Sequence, residues 1–325
     1  MNIRNQYMIN KETDKSNITI TIIAPCYNEE SNINEFYSRI IKSLNLLKIE
    51  HYQLIFVDDG SQDNSWDLIR KININDSNTV GIKLSRNFGH QNAIISTFDY
   101  IRGDYILFID VDLQDPPELL IEMYNNIISN EYNIIYGKRI KAREGFFKKF
   151  FSKTFYFIFN LISETKIPSE VSDFKMIDQK VFKILKNLDE QEPFIRGLIS
   201  WTGFKQLPIE FQRNKRMKGS SGWSKFKMIN FSLSAFFGFS SFPMRISFYF
   251  CFLFIFIFFI LGSYALYTYF NGINIPGWTS IFLIIIFFNI VQFFILGLIS
   301  EYTGRIYYEL KRRPRFIINE ISKRN

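Results

Sequence analysis

Two long stretches near the C-terminal end contain no charged residue, and they constrain the fold more than any other feature. One covers residues 246–270 and the other covers residues 278–300. An α-helix needs about 20 apolar residues to cross a bilayer, so each stretch predicts a membrane-spanning helix. The link between them, NGINIPG, is short and uncharged, which predicts a transmembrane helical hairpin. A pair of very apolar core helices is the alternative.

The basic residues are clustered beside apolar stretches. The net charge is +8, and Lys and Arg are concentrated in residues 138–153, 213–227 and 305–324. Such clusters favour contact with an anionic bilayer surface over binding to nucleic acid. Basic residues flank the hairpin but are absent from its link. Both termini are therefore expected in the cytoplasm, in a multi-pass protein of the inner or plasma membrane.

Two further segments, residues 146–163 and 226–243, combine an aromatic face with polar positions at helical spacing. This pattern predicts amphipathic helices in the membrane interface, with ordinary core helices as the alternative. The first lies within a predicted soluble domain, residues 18–225, which follows a polar tail, residues 1–17, without a signal peptide. After the second come the hairpin, within residues 244–300, and a basic cytoplasmic tail, residues 301–325.

The soluble part alternates short β-branched strands with amphipathic helices. Strands are predicted at residues 18–24, 54–57, 80–84 and 105–109, and helices at residues 30–47, 65–72 and 89–100. This alternation is typical of a mostly parallel α/β sheet with helices on both faces. Ligands bind such sheets at the carboxyl ends of the strands, where the polar motifs PCYNEE, DDGS, SRNFGHQ and DVDLQD stand.

The last of these motifs predicts a divalent metal site. In an extended segment, positions i and i+2 point the same way, so Asp110 and Asp112 would present two carboxylates on one side, with Gln114 in phase. Oxygen ligands of this kind suit Mg²⁺ or Mn²⁺. Turn capping at strand ends is the alternative role. No GxGxxG follows the first strand, and Glu29 with Glu30 would repel a pyrophosphate there.

In these motifs the chain resembles the family-2 glycosyltransferases of the GT-A fold. More narrowly, it is similar to membrane-anchored polyprenyl-phosphate glycosyltransferases, such as bactoprenol glucosyltransferases and dolichol-phosphate mannose synthases. The resemblance covers most of the chain and includes APCYNEE, FVDDGSQDNS, LSRNFGHQNA, GDYILFIDVDLQDPPE, YGKR, SDFKM, RGLISWTGF, FPMR and EYTGRIYYELKRRPRF.

The resemblance implies roles for the residues that match the family's motifs. Nucleotide-sugar binding is implied for Pro25, Tyr27, Glu29, Asp58, Asp59, His90, Gln91, Asp110 and Lys175. Metal binding is implied for Asp110, Asp112 and Gln114, and catalytic roles for Asp112, Asp173, Arg139 and Arg216. Binding of the acceptor's phosphate is implied for Arg139, Lys153, Arg213 and Arg216. For His90, a loop histidine that is merely hydrogen-bonded in place is the alternative.

The implied activity is inverting transfer of one sugar, expected from UDP-glucose, to polyprenyl phosphate. Gln212 does not begin a Q-x-x-R-W motif of the kind found in processive synthases, because Lys215 stands where the arginine would be. The absence of this motif favours single-sugar transfer. The lysine of a G-x-S-K-Y element is displaced to Lys225, so GDP-mannose, UDP-aminosugars and non-polyprenyl acceptors stay open as alternatives. The intact acids disfavour a non-catalytic membrane scaffold. A homo-oligomer is implied only by analogy with tetrameric relatives.

Overall fold

The computed structural model describes residues 19–140, residues 171–212 apart from 189 and 192, some positions within 252–271, and residues 277–323. The predictions for the N-terminal tail and for both interfacial helices fall outside the described residues. Most of the first apolar stretch falls outside them as well. The same holds for Lys153, Arg213 and Arg216.

One mixed sheet of eight strands forms the centre of the described structure. The strands are β1 (Ile20–Cys26), β2 (Tyr52–Asp58), β3 (Thr79–Leu84), β4 (Tyr105–Phe108), β5 (Ile134–Ile140), β6 (Val171–Asp178), β7 (Gln206–Gln212) and β8 (Ile318–Ser322). Their spatial order is β7-β5-β6-β4-β1-β2-β3-β8. The four predicted strands, β1 to β4, are mutually parallel. The sheet is nevertheless mixed, since β6 and β8 run antiparallel to their neighbours.

Helices cover both faces of this sheet, as the sequence predicts. They are α1 (Ile33–Leu46), α2 (Ser65–Asn75), α3 (His90–Ile95), α4 (Leu119–Ile127), α5 (Gln179–Asn187), α6 (Ile195–Trp201) and α7 (Trp278–Lys311). Alternate residues of β1 face opposite cores. Ile22 packs with residues of α1, α2 and α4, whereas Ile23 packs with residues of α3, α5 and α6. The period-2 alternation of a strand thereby separates two apolar layers.

All three predicted helices differ from the observed ones at their ends, and the second, expected to reach residue 72, continues to Asn75. The first was expected from residue 30 and begins at Ile33. The third was expected to reach residue 100 and ends at Ile95. The hydroxyls of Ser96 and Thr97 donate to the carbonyl oxygens of Ala93 and Ile94, at 2.6 and 2.7 Å. Such side-chain bonds compete with helix continuation and explain the early end.

The C-terminal part combines a long apolar helix with a returning strand. Helix α7 begins at the predicted residue and continues beyond residue 300 to Lys311. Within the described residues, one helix is long and apolar enough to cross a membrane, over Phe287–Lys311 with a mean hydropathy of 1.2. The predicted two-helix hairpin is not shown, although the described positions within 252–270 are helical. Asn289 donates to the carbonyl of Ile285 in its own helix, at 2.8 Å.

Residues 301–325, predicted as a basic tail, contain the end of α7 and strand β8. Strand β8 pairs antiparallel with β3 at the edge of the sheet. The indole Nε1 of Trp66 donates to the carboxylate of Glu320 at 3.1 Å, and Phe316 packs against buried core residues. The chain therefore returns from α7 to the same sheet that carries the predicted site.

Candidate active site

Two loops at the carboxyl ends of β1 and β2 are joined by hydrogen bonds. The amide of Asn28 donates to the hydroxyl of Ser61 at 2.9 Å, and the amide of Gln62 donates to the side-chain oxygen of Asn28 at 2.8 Å. Glu29 is buried and accepts from the side chain of Asn32 at 2.5 Å. Tyr27 is 43% exposed at this edge, so its ring is free of the core and open to solvent.

Asp58 ends strand β2 and is fully buried. Its Oδ1 accepts from the amide of Ser61 at 2.8 Å. Its Oδ2 is buried and has no hydrogen-bond partner among the described residues. Burial raises the pKa of this carboxyl, an effect that the hydrogen bonds from Ser61 oppose. A buried acceptor without a donor is costly. Pro25 is buried in β1, beside this strand.

Asp59 fixes the loop that follows β3. Its two carboxylate oxygens accept from the amides of Phe88 and Gly89, at 2.7 and 2.9 Å. Gly89 has a φ of 93°, in the region that favours glycine, so the chain turns here directly before α3. The acid of the DDGS motif thereby positions His90, the first residue of α3.

His90 contacts the predicted metal segment, which we define as residues 110–114. Its Nε2 lies 2.7 Å from Oδ1 of Asp110, and both side chains are about one-third exposed. Desolvation opposes the charged imidazolium, but the carboxylate of Asp110 outweighs it and raises the pKa of His90 to about 9. At neutral pH the imidazole of His90 is therefore protonated. The structure places His90 at the start of α3, hydrogen-bonded to Asp110.

The segment that carries Asp112 and Gln114 is a turn, so the predicted extended conformation is wrong. Residues 111–115 form turns and bends, and Leu113 has a φ of 58°. The amide of Gln114 donates to Oδ1 of Asp112 at 3.1 Å. The apolar side chains of Val111 and Leu113 are buried, whereas both polar side chains are partly exposed. Burial of the apolar neighbours bends the backbone and leaves the oxygen groups towards solvent.

Asp115 is buried and pairs with Arg139 of β5, with Oδ2 and Nη2 3.2 Å apart. The two residues are 24 positions apart in the sequence. The guanidinium of Arg139 is thereby held next to the segment of Asp112. The other three predicted acceptor or catalytic cations, Lys153, Arg213 and Arg216, lie outside the described residues.

A charged cluster lies beside this segment, and we define it as His90, Asp110, Asp173, Lys175 and Arg196. Arg196 of α6 binds Asp173 of β6 through two hydrogen bonds, Nε to Oδ1 at 3.1 Å and Nη2 to Oδ2 at 2.7 Å. Although burial works in the other direction, Arg196 and His90 hold the pKa of Asp173 well below its usual range. Asp173 is thus ionised at neutral pH and is a weak proton acceptor.

Lys175 is the buried member of the charged cluster. Its side chain lines a small cavity together with Gln91, Asp173 and Arg196, and the residue is 2% exposed. Burial, and then the neighbouring Arg196, lower the pKa of Lys175 to about 7. Gln91 connects this cavity to α6, since its Oε1 accepts from the amide of Ile195 at 3.0 Å.

Arg196 is the functional candidate that the sequence did not identify. It lies in the RGLISWTGF motif, but its spacing from Asp173 carries no signal of contact because the two belong to different elements. The sequence offered one indication of a role for Arg196, its place in a motif that the chain shares with the family. The two hydrogen bonds fix the side chains of Arg196 and Asp173 relative to each other.

Comparison with known proteins gives one consistent result. The model of the family described as "Glycosyl transferase family 2" matches residues 21–185. An uncharacterised glycosyltransferase of Bacillus subtilis (strain 168) is 39% identical over 93% of this chain and 94% of its own length. A "Prophage bactoprenol glucosyl transferase homolog" of Escherichia coli (strain K12) is 31% identical over 94% of this chain and 99% of its own.

Among solved structures, mannosyl-3-phosphoglycerate synthase from Rubrobacter xylanophilus is similar with a TM-score of 0.47 at 14% identity. That match covers 68% of this chain and 73% of that chain. The assignment to a family rests on the family model and on the near full-length relatives, and not on this structural similarity. The chain belongs to glycosyltransferase family 2.

Proposed function

We propose that this glycosyltransferase transfers one glucose from UDP-glucose to undecaprenyl phosphate at the cytoplasmic face of the membrane, with inversion. The observation that carries the proposal is the convergence of Asp58, Asp110, Asp173 and their partners at one edge of the sheet. The E. coli relative, which is named for glucose and bactoprenol, supports the donor and the acceptor. A different donor sugar on the same lipid carrier is the second candidate.

The end of β2 suits the nucleoside of the donor. Asp58 has one oxygen without a hydrogen-bond partner among the described residues, and a base N–H or a ribose hydroxyl would satisfy it. The exposed ring of Tyr27 offers an apolar face on which a base could stack. Glu29 and Pro25 line the same edge beside them. These residues bind and orient the donor in this proposal.

The residues of the metal segment fit Mg²⁺ or Mn²⁺ by their chemistry. The carboxylates of Asp110 and Asp112 and the amide oxygen of Gln114 are hard ligands. The described residues contain no cluster of three or more His, Cys, Asp or Glu side chains that could hold a metal ion by themselves. Mg²⁺ is commonly bound through one or two carboxylates together with substrate phosphates. A bound ion would neutralise the charge of the departing diphosphate.

The proposed reaction needs no strong protein base. A phosphate monoester has a second pKa near about 6, so the acceptor oxygen is already anionic at neutral pH. That oxygen bonds to the anomeric carbon while the bond from this carbon to the UDP oxygen breaks, and the electron pair leaves with UDP. The low pKa of Asp173 supports a role in orienting Arg196 and the sugar rather than in proton abstraction.

Arg139 is the described candidate for holding the acceptor's phosphate. Its pairing with buried Asp115 keeps a guanidinium beside Asp112. Lys153, Arg213 and Arg216 are proposed to complete this cationic site from the segments that the sequence predicts to lie in the membrane interface. Phosphate binding by several arginines would neutralise and position the nucleophile.

The position of β8 supports a two-span topology. Strands β7 and β8 belong to one sheet, so they lie on the same side of the membrane. The chain between them must then cross the bilayer an even number of times. If α7 crosses once, residues 213–277 must supply a second crossing, and the uncharged stretch 246–270 is long enough. A cysteine placed at Gly272 should react with an impermeant thiol reagent in intact cells, whereas one placed at Lys323 should not.

A transfer assay tests the proposal directly. Membranes containing the protein receive radiolabelled UDP-glucose with or without added undecaprenyl phosphate, and the labelled lipid is measured. We expect label in the lipid fraction only when both substrates are present, and a β-linked product. If the lipid is labelled from GDP-mannose or from a UDP-aminosugar but not from UDP-glucose, that nucleotide sugar is the donor instead. Free sugar released without a lipid product would contradict the acceptor.

A further inference from the structure

A second cationic site lies where α7 meets the sheet domain. It is a cleft of about 430 Å³, and we call it the basic cleft. Four cations line it, Arg86, Lys311, Arg313 and Arg315, and no carboxylate is among its described lining residues. Its volume is within the range of about 300–1,000 Å³ that is common for small-molecule sites. None of the four cations has a role in the proposed transfer reaction.

Two cations of the basic cleft, Arg86 and Lys311, contact neutral groups. The guanidinium of Arg86 lies 4.0 Å above the ring of Phe88, and its Nη1 donates to the carbonyl of Asn87 at 3.0 Å. The ammonium of Lys311 lies 4.1 Å above the ring of Tyr307. Such contacts orient positive charge without neutralising it. Arg315 donates to the backbone carbonyl of Glu190 at 2.9 Å, and the Glu190 carboxyl is near enough to offset part of that charge.

The basic cleft lies at the C-terminal end of α7, and this position favours one class of anionic ligand. Lys311 is the last residue of α7, and Arg313 and Arg315 follow directly. Helix α7 contains the one described segment that is long and apolar enough to cross a membrane. Basic and aromatic residues at the end of a membrane-spanning helix commonly lie at headgroup depth. Tyr308 lines the same cleft as these basic residues.

We propose that the basic cleft binds the phosphate headgroup of an anionic phospholipid in the leaflet next to the sheet domain. This inference uses the membrane position of α7 from the proposed function, but the residues that line the cleft are not among those proposed to bind the acceptor's phosphate. The phosphate would lie among Arg86, Lys311 and Arg313, and the acyl chains would extend along α7.

A headgroup in the basic cleft would also stabilise the loop of the active site. Residues 85–92 carry Arg86 and Asn92 into the cleft and His90 to Asp110. Asp59 already binds this loop from the other side through two amides. A lipid bound by Arg86 would add a second restraint on the segment that presents His90.

Binding of phosphatidylglycerol to the purified full-length protein in neutral detergent tests the proposal. The test variant is Lys311→Gln/Arg313→Gln, and the matched control is Arg312→Gln. Arg312 is adjacent and exposed but does not line the cleft. We expect the double variant to bind about 30-fold more weakly, which is about 2 kcal/mol at about 1 kcal/mol per basic residue. The control should bind like the wild type.

A second readout measures hydrogen exchange of the amides of residues 85–92. Phosphatidylglycerol should slow this exchange in the wild type and in Arg312→Gln, but not in the double variant. Equal phosphatidylglycerol binding by the double variant would overturn the proposal. Full competition by inorganic phosphate at equal concentration would show a free-phosphate site instead. Selective loss of undecaprenyl phosphate binding would assign the cleft to the acceptor and overturn the proposal as well. Because these readouts use no sugar donor, failure of the transfer reaction would not affect them.

Discussion

In the charged cluster, the carboxylates face cations. Arg196 binds Asp173 through two hydrogen bonds, and His90 lies 2.7 Å from Asp110. At the end of β2, Asp58 is fully buried, and one of its oxygens has no hydrogen-bond partner among the described residues. The carboxylates of the first region have charged partners, whereas the second region has a buried acceptor oxygen without a described partner. Under the proposed function, the sugar end would be preorganised and the nucleoside end would be completed by the bound donor.

The largest expected effect is at Asp112, the carboxylate of the metal segment that His90 does not bind. Asp112→Ala should lower kcat at least about 100-fold with Mg²⁺ or Mn²⁺, because the diphosphate loses its main route to charge neutralisation. Steady-state transfer assays measure this, with Asp104→Asn as the control. Asp104 is an exposed carboxylate just before β4, at its other end. Excess EDTA should stop the wild type, and full turnover in EDTA would contradict the metal site.

The next effect tests whether the charged cluster is preorganised. Arg196→Gln should lower kcat between about tenfold and 100-fold, because Asp173 loses the partner that positions it. The pKa of Asp173 should also rise, so the pH–rate profile should gain an acidic limb. Arg102→Gln, at an exposed arginine, serves as the control. An unchanged profile in Arg196→Gln would show that the ion pair does not set the state of Asp173.

A smaller effect is expected at Asp58, the buried carboxylate at the end of β2. Asp58→Asn should raise the KM for the donor about tenfold through loss of one charge-assisted hydrogen bond. The same change should stabilise the unliganded protein. Burial raises the folded-state pKa of Asp58, so its ionisation destabilises the fold as pH rises from the unfolded value through the raised value. Thermal unfolding against pH measures this, and Asp58→Asn should remove that decline. A lower Tm at pH 7 would count against an unsatisfied carboxylate.

The last expected effect is on stability, at Lys175. Its folded-state pKa of about 7 is below the unfolded value, so the unfolded chain binds more protons above pH 7. Stability should therefore rise with pH between about 7 and about 10, by at most about 1.4 kcal/mol per pH unit. Lys175→Met should flatten this rise, as measured by denaturant unfolding in detergent. An equally steep rise in the variant would assign the dependence to another group.

Local patterns were sufficient to predict much of the fold. The β-branched runs predicted β1 to β4, and helical spacing predicted α1 to α3, with errors at their ends. Strands β5 to β8 were not predicted. In β8, the hydrophobic pattern is short, and the strand depends on pairing with β3. Edge pairing of this kind is decided by tertiary contacts, which a local pattern does not contain.

The sequence by itself determined where the polar motifs fall, because strand ends are set by periodicity and turn residues. It also determined the length and lack of charge of the apolar stretch in α7. Only the tertiary structure brought Arg196 to Asp173, 23 positions away, and Trp66 to Glu320, 254 positions away. It likewise bent the Asp112 segment into a turn. The physical reason is that charge pairing and burial depend on distance in space, whereas periodicity reports only on neighbours along the chain.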